Sequence, residues 1–284
     1  MPPAVLAEPP PRLRILGVEV DALRVAEAVD RIATLAADPA SPAVYVVKPY
    51  VEFCDRAAGD PEVASLLNGA ELSLPDGVAL QWAAGYQAGA PGLRRLVGSL
   101  GAIVVRPSAV ASVLPERFAG ASFTTALLER CARDRLRVHL VGSPRAQTIG
   151  ATAAHLKRLL PGLEISGASE GRDDPAGVDG LVATLRAERP DIVLVGMGFP
   201  RQERLMARLC ARLDHAVLIG EGGTFDYREF GGATRRAPVA LRRLGLEWLW
   251  RLALEPSRLR RQLAIPRFVW RVHRQARRAA SRSS

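Results

Sequence analysis

The sequence has few cysteines, few aromatic residues and almost no lysine. The chain has 284 residues, of which three are cysteines and 5% are aromatic. Cys54, Cys131 and Cys210 lie far apart without Cys-x-x-Cys spacing, which is typical of reduced thiols in a cytosolic protein and not of a disulfide framework or a zinc site. The scarcity of aromatics argues against a β-sandwich or a base-stacking surface. Lys48 and Lys157 are the only lysines, so arginine carries nearly all the positive charge.

Long hydrophobic runs are also missing. No stretch of 18 apolar residues lacks a charged residue, so the sequence predicts no transmembrane span. Residues 1–11 are rich in proline and alanine, contain Glu8 and have no basic segment, as expected of a flexible leader and not of a signal peptide. The expected location is therefore the cytoplasm.

Several catalytic motifs are absent. The four histidines show no His-x-x-x-His spacing, there is no Asp-x-Asp pair, and no Gly-x-x-x-x-Gly-Lys sequence occurs. Gly196 and Gly198 begin a dinucleotide fingerprint, but Arg201 occupies its third glycine position. These absences count against a metalloenzyme, a P-loop NTPase and a Rossmann dehydrogenase, and we expect neither a metal nor a cofactor.

Short apolar runs alternate with stretches of helical periodicity. Continuous apolar runs such as 192–195 indicate strands buried on both faces. The alternation predicts an α/β fold, a Rossmann-like and mostly parallel sheet in two lobes with helices on both faces. The predicted strands are 43–47, 137–141, 163–166, 191–195 and 216–219, and the predicted helices include 61–67, 123–134, 146–159 and 178–188.

The C-terminal part differs in character from the rest. Residues 256–284 contain nine arginines and no acidic residue, and tryptophans and leucines are interspersed with arginine before and within this segment. This pattern favours amphipathic helices at an anionic membrane surface, and a helical pair packed on the core is an equally good and compatible interpretation. Phe268 and Trp270 are too few for base stacking, so we expect no nucleic acid partner. The predicted domains are a leader (1–11), an α/β core (12–238, divided near 122 into an N-terminal lobe and a nucleotide-binding lobe) and a helical appendage (239–284).

Two glycine-rich loops follow predicted strands, where parallel sheets bind ligands. Gly196 and Gly198 allow the backbone to approach an anion at the N-terminus of the next helix. In the loop 220–226, glycines and the Thr224 hydroxyl could hold a diphosphate, and Asp226 could accept hydrogen bonds from a ribose or a base. A simple tight turn is the alternative for the loop 220–226, and the Gly-x-Gly of the first loop is weak evidence when taken alone.

The sequence Pro75-Asp76-Gly77 predicts a sharp turn that presents a carboxylate. An inverting sugar transfer needs one carboxylate to remove the proton from the attacking hydroxyl. An aspartate before a glycine is more often only a turn residue, so both interpretations of Asp76 stay open on local grounds.

Taken together and in this order, six segments resemble the WecG/TagA/CpsF family of bacterial glycosyltransferases over about residues 14–263. They are PDG (75–77), VHLVG (138–142), DIVLVGMGFPRQE (191–203), GGTFD (222–226), RAP (236–238) and GLEWLWRLALEPSR (245–258). The resemblance implies metal-independent, inverting transfer of a hexose or N-acetylhexosamine from a UDP-sugar to an undecaprenyl-diphosphate-linked saccharide. The products in the family include teichoic acid linkage units, enterobacterial common antigen, capsule and exopolysaccharide.

The resemblance also implies roles for individual residues. Asp76 would be the general base. The appendage would close over the site at the inner face of the membrane, with a change of oligomeric state as it docks. Four arginines would bind the acceptor diphosphate, which suits the forked guanidinium group: Arg236, Arg251, Arg258 and Arg261. The residues expected to hold the UDP are Gly142, Gly196, Gly198, Gln202, Glu203, Gly223, Thr224 and Asp226.

Three departures from the family pattern stand out. Lys48 and Tyr50 occupy the positions of a threonine and an asparagine that help to contact the sugar, so these two residues are the expected sugar contacts here. Residues 89–116 are an apparent insertion, and Ser122 stands where an aspartate is expected. The departures indicate either a different sugar or a catalytically altered family member. A nicotinamide-dependent oxidoreductase and a non-enzymatic membrane or nucleic-acid adaptor are the alternatives from other classes.

Overall fold

The structure is a computed structural model that describes residues 8–105, 113–116, 118–143, 149–244, 246–256, 259 and 263–282. The strands are β1 (Arg12–Ile15), β2 (Val18–Asp21), β3 (Val44–Val47), β4 (Leu72–Ser73), β5 (Arg137–Gly142), β6 (Glu164–Glu170), β7 (Ile192–Gly196) and β8 (Val217–Gly220). The helices are α1 (Val25–Ala37), α2 (Val51–Ala57), α3 (Pro61–Asn68), α4 (Val78–Gln87), α5 (Leu93–Val105), α6 (Gly120–Asp134), α7 (Ile149–Leu159), α8 (Pro175–Glu188), α9 (Arg201–Cys210), α10 (Val239–Arg243), α11 (Glu247–Leu254) and α12 (Ala264–Arg282).

Six strands form one parallel sheet in the order β4-β3-β8-β7-β5-β6. This confirms the predicted α/β class, and all five predicted strands are present. Every residue of β7 is buried, as its continuous apolar sequence predicts for a strand covered on both faces. Hydrophobic clusters fill both sides of the sheet.

Two features were not predicted. β1 and β2 form a separate antiparallel hairpin around Leu16 and Gly17, both of which have positive φ, and β4 consists of two residues beside β3. β4 is too short for a periodic signal, and β1 and β2 alternate charged and apolar residues instead of forming the apolar runs from which the strands of the sheet were predicted. Some helices also begin earlier than their periodicity indicates, because capping determines the first turn. In α8, which begins at Pro175, the side chain of the N-cap residue Asp174 accepts a hydrogen bond from the Gly177 N–H.

The pairing of β3 with β8 joins distant parts of the chain. Val44 lies opposite Val217, and Val46 lies opposite Ile219, in parallel register. The two predicted lobes therefore share one continuous sheet. The loops after β3, β4, β7 and β8 all open at the same edge of it, which is the edge where such sheets bind ligands.

The C-terminal helix α12 packs against α2 and α4. Phe268 and Val272 are fully buried in the core. The carboxylate of Asp55 in α2 forms ion pairs with Arg267 at 3.0 Å and with Arg271 at 3.2 Å. The packed arrangement considered for this segment is therefore present in α12, and part of its arginine charge is taken up by the protein. No helix in the described ranges is long and apolar enough to cross a membrane.

We expect Phe268→Ala to lower the free energy of unfolding by about 3 kcal/mol or more, because truncating a fully buried phenylalanine leaves a cavity. Trp270→Ala is the matched control on the same helix, because this side chain is 56% exposed and should cost less than about 1 kcal/mol. Urea unfolding of both variants measures the difference. Equal losses would show that α12 does not anchor the core.

Candidate functional site

A cavity of about 690 Å³ opens at this edge of the sheet. The loops after β3, β4 and β8 and the first turn of α6 form its polar side, and α4, α5 and α12 contribute an apolar wall that includes Trp82 and Leu100. Helix α11 contributes Glu247, Trp248 and Arg251. Such a concave site with a few convergent polar groups is the usual form of a small-molecule site.

Asp76 lies in the turn that follows β4 and lines the cavity. The turn is held on two sides: the Asp76 N–H donates to the Pro49 carbonyl at 2.8 Å, and the Gly77 N–H donates to the Phe118 carbonyl at 3.1 Å. Gly77 has a φ of 87°, a conformation that glycine adopts without strain. The Pro-Asp-Gly turn thus presents the carboxylate to the cavity.

The surroundings of Asp76 raise its pKa to about 6. Burial is the largest cause, because it disfavours the charged form. Lys48 opposes this effect by its positive charge, as does a hydrogen bond from the Gly120 N–H, while the negative charges of Glu247 and Glu221 add to it. A carboxylate with a pKa near 6 is ionised at neutral pH and basic enough to accept a proton in a reaction.

Lys48, one of the expected sugar contacts, forms a buried ion pair with Glu221. Its Nζ lies 2.8 Å from Glu221 Oε2 and 3.4 Å from Thr124 Oγ1. Thr124 Oγ1 in turn lies 2.6 Å from Glu221 Oε2, and the ammonium group lies 5.4 Å from the centre of the Phe123 ring. Tyr50, the other expected contact, also lines the cavity, and its hydroxyl donates to Glu52 at 2.8 Å.

Gln202 connects the two glycine loops. Its Oε1 accepts hydrogen bonds from the Gly198 N–H at 3.1 Å and from the Gly222 N–H at 2.9 Å. Gly198, Gln202, Gly223 and Thr224 all line the cavity. The structure therefore brings together the two loops in which the sequence predicted nucleotide contacts.

Glu203 lies behind Gln202 and does not line the cavity. It is fully buried, and its Oε1 accepts a hydrogen bond from Gln202 Nε2 at 2.8 Å, which orients the amide. Burial raises the pKa of Glu203 to about 7. Direct contact with a nucleotide, as the sequence suggested, does not fit this position, because neighbouring protein atoms enclose the side chain.

Two predicted nucleotide-binding glycines are needed for packing. A Cβ on Gly142 would lie 2.7 Å from the Cβ of Ile149, and one on Gly196 would lie 2.5 Å from the Phe225 ring. Neither glycine lines the cavity. Their small size lets α7 and the loop after β8 approach the ends of β5 and β7, so their effect on a ligand is indirect.

Two of the four predicted arginines line the cavity, and both are paired. Arg236 donates to the Ser122 hydroxyl at 2.6 Å and forms ion pairs with Glu229 and Glu247. Arg251 lies 3.3 Å from Asp226, which is beside the cavity and not in its lining, and 4.7 Å from the centre of the Tyr227 ring. Arg258 and Arg261 lie outside the described residues.

Four residues that contact or act on the predicted site residues were not predicted from the sequence. They are Glu221, Gly120, Thr124 and Glu247. Glu221 could have been found from the sequence, because it is an acidic residue in a glycine loop that follows a buried strand. The other three residues reach the site only through contacts between distant parts of the chain. The apparent insertion contains α5, whose Leu100 helps to form the cavity wall. In the parts of the chain that the structure describes, no three His, Cys, Asp or Glu side chains are grouped to hold a metal ion.

Comparison with known proteins supports the resemblance found in the sequence. The family model described as "Glycosyl transferase WecG/TagA/CpsF family" matches residues 13–100 and 95–282. A relative from Bacillus spizizenii (strain ATCC 23059 / NRRL B-14472 / W23) is 30% identical over 238 residues, which cover 83% of this chain and 81% of the relative. That relative is named N-acetylglucosaminyldiphosphoundecaprenol N-acetyl-beta-D-mannosaminyltransferase.

We expect the stability of the protein to fall as the pH rises from about 5 to about 8, in part because of Glu203. Its pKa is about 7 in the folded chain against an ordinary 4.5, so the folded state binds the proton more tightly and loses this advantage as Glu203 ionises. Glu203→Gln should flatten the fall, and exposed Glu129→Gln should not. Melting temperatures across this pH range provide the measurement. An unchanged slope in Glu203→Gln would contradict the assignment.

Proposed function

This chain belongs to the WecG/TagA/CpsF family of glycosyl transferases, and we propose that it transfers a hexose or N-acetylhexosamine from a UDP-sugar to an undecaprenyl-diphosphate-linked saccharide, with inversion and without a metal. The polymer served is a cell-surface polysaccharide such as teichoic acid, capsule or exopolysaccharide. The observation that carries the proposal is the position of Asp76, a carboxylate with a pKa near 6 in a cavity that also contains the glycine loops and three arginines.

Asp76 acts as the general base in this proposal. Its carboxylate takes the proton from the acceptor hydroxyl while that oxygen attacks the anomeric carbon of the donor. The bond from the anomeric carbon to the diphosphate oxygen breaks, and UDP leaves with the electron pair. A single displacement inverts the configuration at this carbon, and a positioned base of this kind contributes about 10²–10⁴ to the rate.

The two glycine loops hold the nucleotide. Gly198, Gly223 and Thr224 line the cavity, which supports their proposed contact with the diphosphate, and donors fixed before the reaction stabilise the charge that develops on the leaving group. Gln202 holds the two loops together, because its side-chain oxygen accepts a backbone hydrogen bond from each of them. Tyr50 and Lys48, which line the same cavity as Asp76, are on the side proposed for the sugar.

The arginines bind the diphosphate of the lipid-linked acceptor. Arg236 and Arg251 line the cavity, and their present partners are carboxylates and a hydroxyl. A diphosphate offers the guanidinium groups the same bidentate geometry with more charge. Arg258 and Arg261 are assigned to this role from the family resemblance.

The helices of the C-terminal segment face the membrane. Large apolar side chains are exposed there among the arginines, a combination that suits the interface between head groups and acyl chains. They are Val239, Leu244, Trp248, Leu249, Leu254, Leu259, Leu263 and Trp270. We place the protein in the cytoplasm, attached peripherally to the inner face of the plasma membrane, where the acceptor is accessible.

A transfer assay tests the function. Purified protein is incubated with a panel of UDP-sugars and with polyprenyl-diphosphate-linked mono- and disaccharides, and the products are identified by mass spectrometry. Thermal shifts with UDP, GDP and NADH are measured in parallel, because a ligand that binds only the folded state stabilises it. Transfer to a lipid-linked acceptor and a shift with UDP support the proposal. The absence of both, or a shift with NADH alone, overturns it.

We expect Asp76→Asn to lower the transfer rate by about 10²–10⁴, because the amide cannot accept the proton. Binding of UDP, measured by calorimetry, should stay within about threefold, because Asp76 does not belong to the glycine loops. Exposed Asp214→Asn is the control and should keep the wild-type rate. A rate in Asp76→Asn close to wild type would reassign the base.

We expect a double variant, Trp248→Ser with Trp270→Ser, to bind anionic vesicles at least about fivefold more weakly than wild type, because both exposed indoles would lose their place at the interface. Sedimentation with vesicles of phosphatidylglycerol and phosphatidylcholine measures the effect. The double substitution is preferable to truncation near Pro238, because α12 forms part of the core and its removal would expose the apolar side chains that pack against Phe268. Unchanged sedimentation would contradict a membrane role for this face.

A further inference from the structure

The ion pair between Lys48 and Glu221 is buried on both sides. The two residues are 7% and 4% exposed, and Glu221 Oε1 has no hydrogen-bond partner in the described structure. Removing two charges from water often costs more than their mutual attraction returns, so a well-packed apolar pair is commonly more stable. The presence of the Lys48–Glu221 pair in the core, with one carboxylate oxygen left without a partner, therefore indicates a role other than stabilising the fold.

The order of the strands in the sheet places the Lys48–Glu221 pair beside Asp76. Lys48 directly follows β3 and Glu221 directly follows β8, and these strands are neighbours in parallel register. The Asp76 turn follows β4, the neighbour of β3 on its other side. All three side chains line the same cavity, so the strand order alone brings two carboxylates and one ammonium group to one place.

A second connection runs through the first turn of α6. Thr124 lies within hydrogen-bonding distance of both members of the pair, and its Oγ1 is 2.9 Å from the Gly120 carbonyl. The Gly120 N–H donates to the Asp76 carboxylate, and an added Cβ on Gly120 would lie 3.5 Å from Asp76 Oδ2. The contacts of the pair therefore extend to the backbone group that holds Asp76.

The charged groups around Asp76 come from several elements. Glu221 and Glu247 are negative, the Tyr227 hydroxyl is neutral at physiological pH, and Lys48 is the cation that acts on Asp76. Three arginines also line the cavity, Arg236, Arg242 in α10 and Arg251. Arg236 is engaged with Ser122, Glu229 and Glu247, and Arg251 is engaged with Asp226 and Glu255. Glu52 in α2 also lines the cavity and accepts from the Tyr50 hydroxyl.

We infer that Lys48 and Glu221 are positioning residues for Asp76: Lys48 keeps the carboxylate ionised for proton removal, and Glu221 holds Lys48 and, through Thr124, the turn that binds Asp76. The inference rests on the proposed function, in which Asp76 is the base. Without the lysine, Asp76 would lie among carboxylates in a buried site, where the ionised form is strongly disfavoured.

The decisive variant removes both charges. Lys48→Met with Glu221→Gln leaves no unpaired charge in the core, so it should fold at least as well as wild type. Lys48 lowers the pKa of Asp76 more than Glu221 raises it. Removing both charges should therefore raise this pKa and move the acidic limb of the pH profile of kcat/KM to higher pH. We expect kcat/KM at about pH 6, relative to each protein's own plateau at about pH 8.5, to be about tenfold lower in the double variant than in wild type. Dividing by the plateau removes any pH-independent loss that comes from the sugar contact of Lys48 or from the glycine loop that contains Glu221.

The single variant Lys48→Arg is the matched control. It keeps the positive charge beside Asp76 and should leave the acidic limb of the pH profile near its wild-type position. An acidic limb that stays unchanged in the double variant, or that moves equally far in Lys48→Arg, would overturn the inference and leave the pair a purely structural contact.

A titration independent of turnover separates this inference from the proposed function. Carboxyl ¹³C NMR follows Asp76 directly in the wild type and in the double variant, and Asp76→Asn identifies its signal. A higher Asp76 pKa in the double variant supports the inference even if the wild type transfers no sugar, in which case only the proposed function fails. An equal pKa in both proteins overturns the inference even if the transfer assay succeeds.

Discussion

The parallel pairing of β3 with β8 is the contact on which the site depends. It joins a strand near residue 45 to one near residue 218, and it brings the loops that follow both strands to one edge. The Asp76 turn comes to the same edge because β4 pairs with β3 on the other side. Without this pairing the carboxylate and the glycine loops would belong to separate parts of the chain, and no cavity would lie between them.

Burial determines the chemistry at that edge. It raises the pKa of Asp76 to about 6 and that of Glu203 to about 7, although the two carboxylates serve different ends. Asp76 faces the cavity beside Lys48, while Glu203 lies behind Gln202 and orients its amide. Desolvation thus raises the pKa of both carboxylates, of Asp76 at the position of the proposed base and of Glu203 behind the glycine loops.

The basic C-terminal segment contains a helix packed on the core and a neighbouring helix at the cavity. α12 belongs to the core through Phe268 and through the ion pairs of Asp55 with Arg267 and Arg271. α11 lies at the cavity and exposes Trp248 to solvent. The packed helix α12 gives the segment a rigid support, and in the proposed function the exposed side chains of the segment would meet the membrane.

The sequence by itself determined the α/β class, five of the six strands of the parallel sheet and the Pro-Asp-Gly and glycine turns, because these features depend on periodicity and on backbone preferences within a few residues. Only the tertiary structure decided the β1–β2 hairpin, the short β4, the packing role of Gly142 and Gly196 and the partner of Lys48. The ion pair between Lys48 and Glu221 spans 173 residues. No local pattern specifies such a contact, because it arises from the order of strands in the sheet and from the desolvation that follows burial.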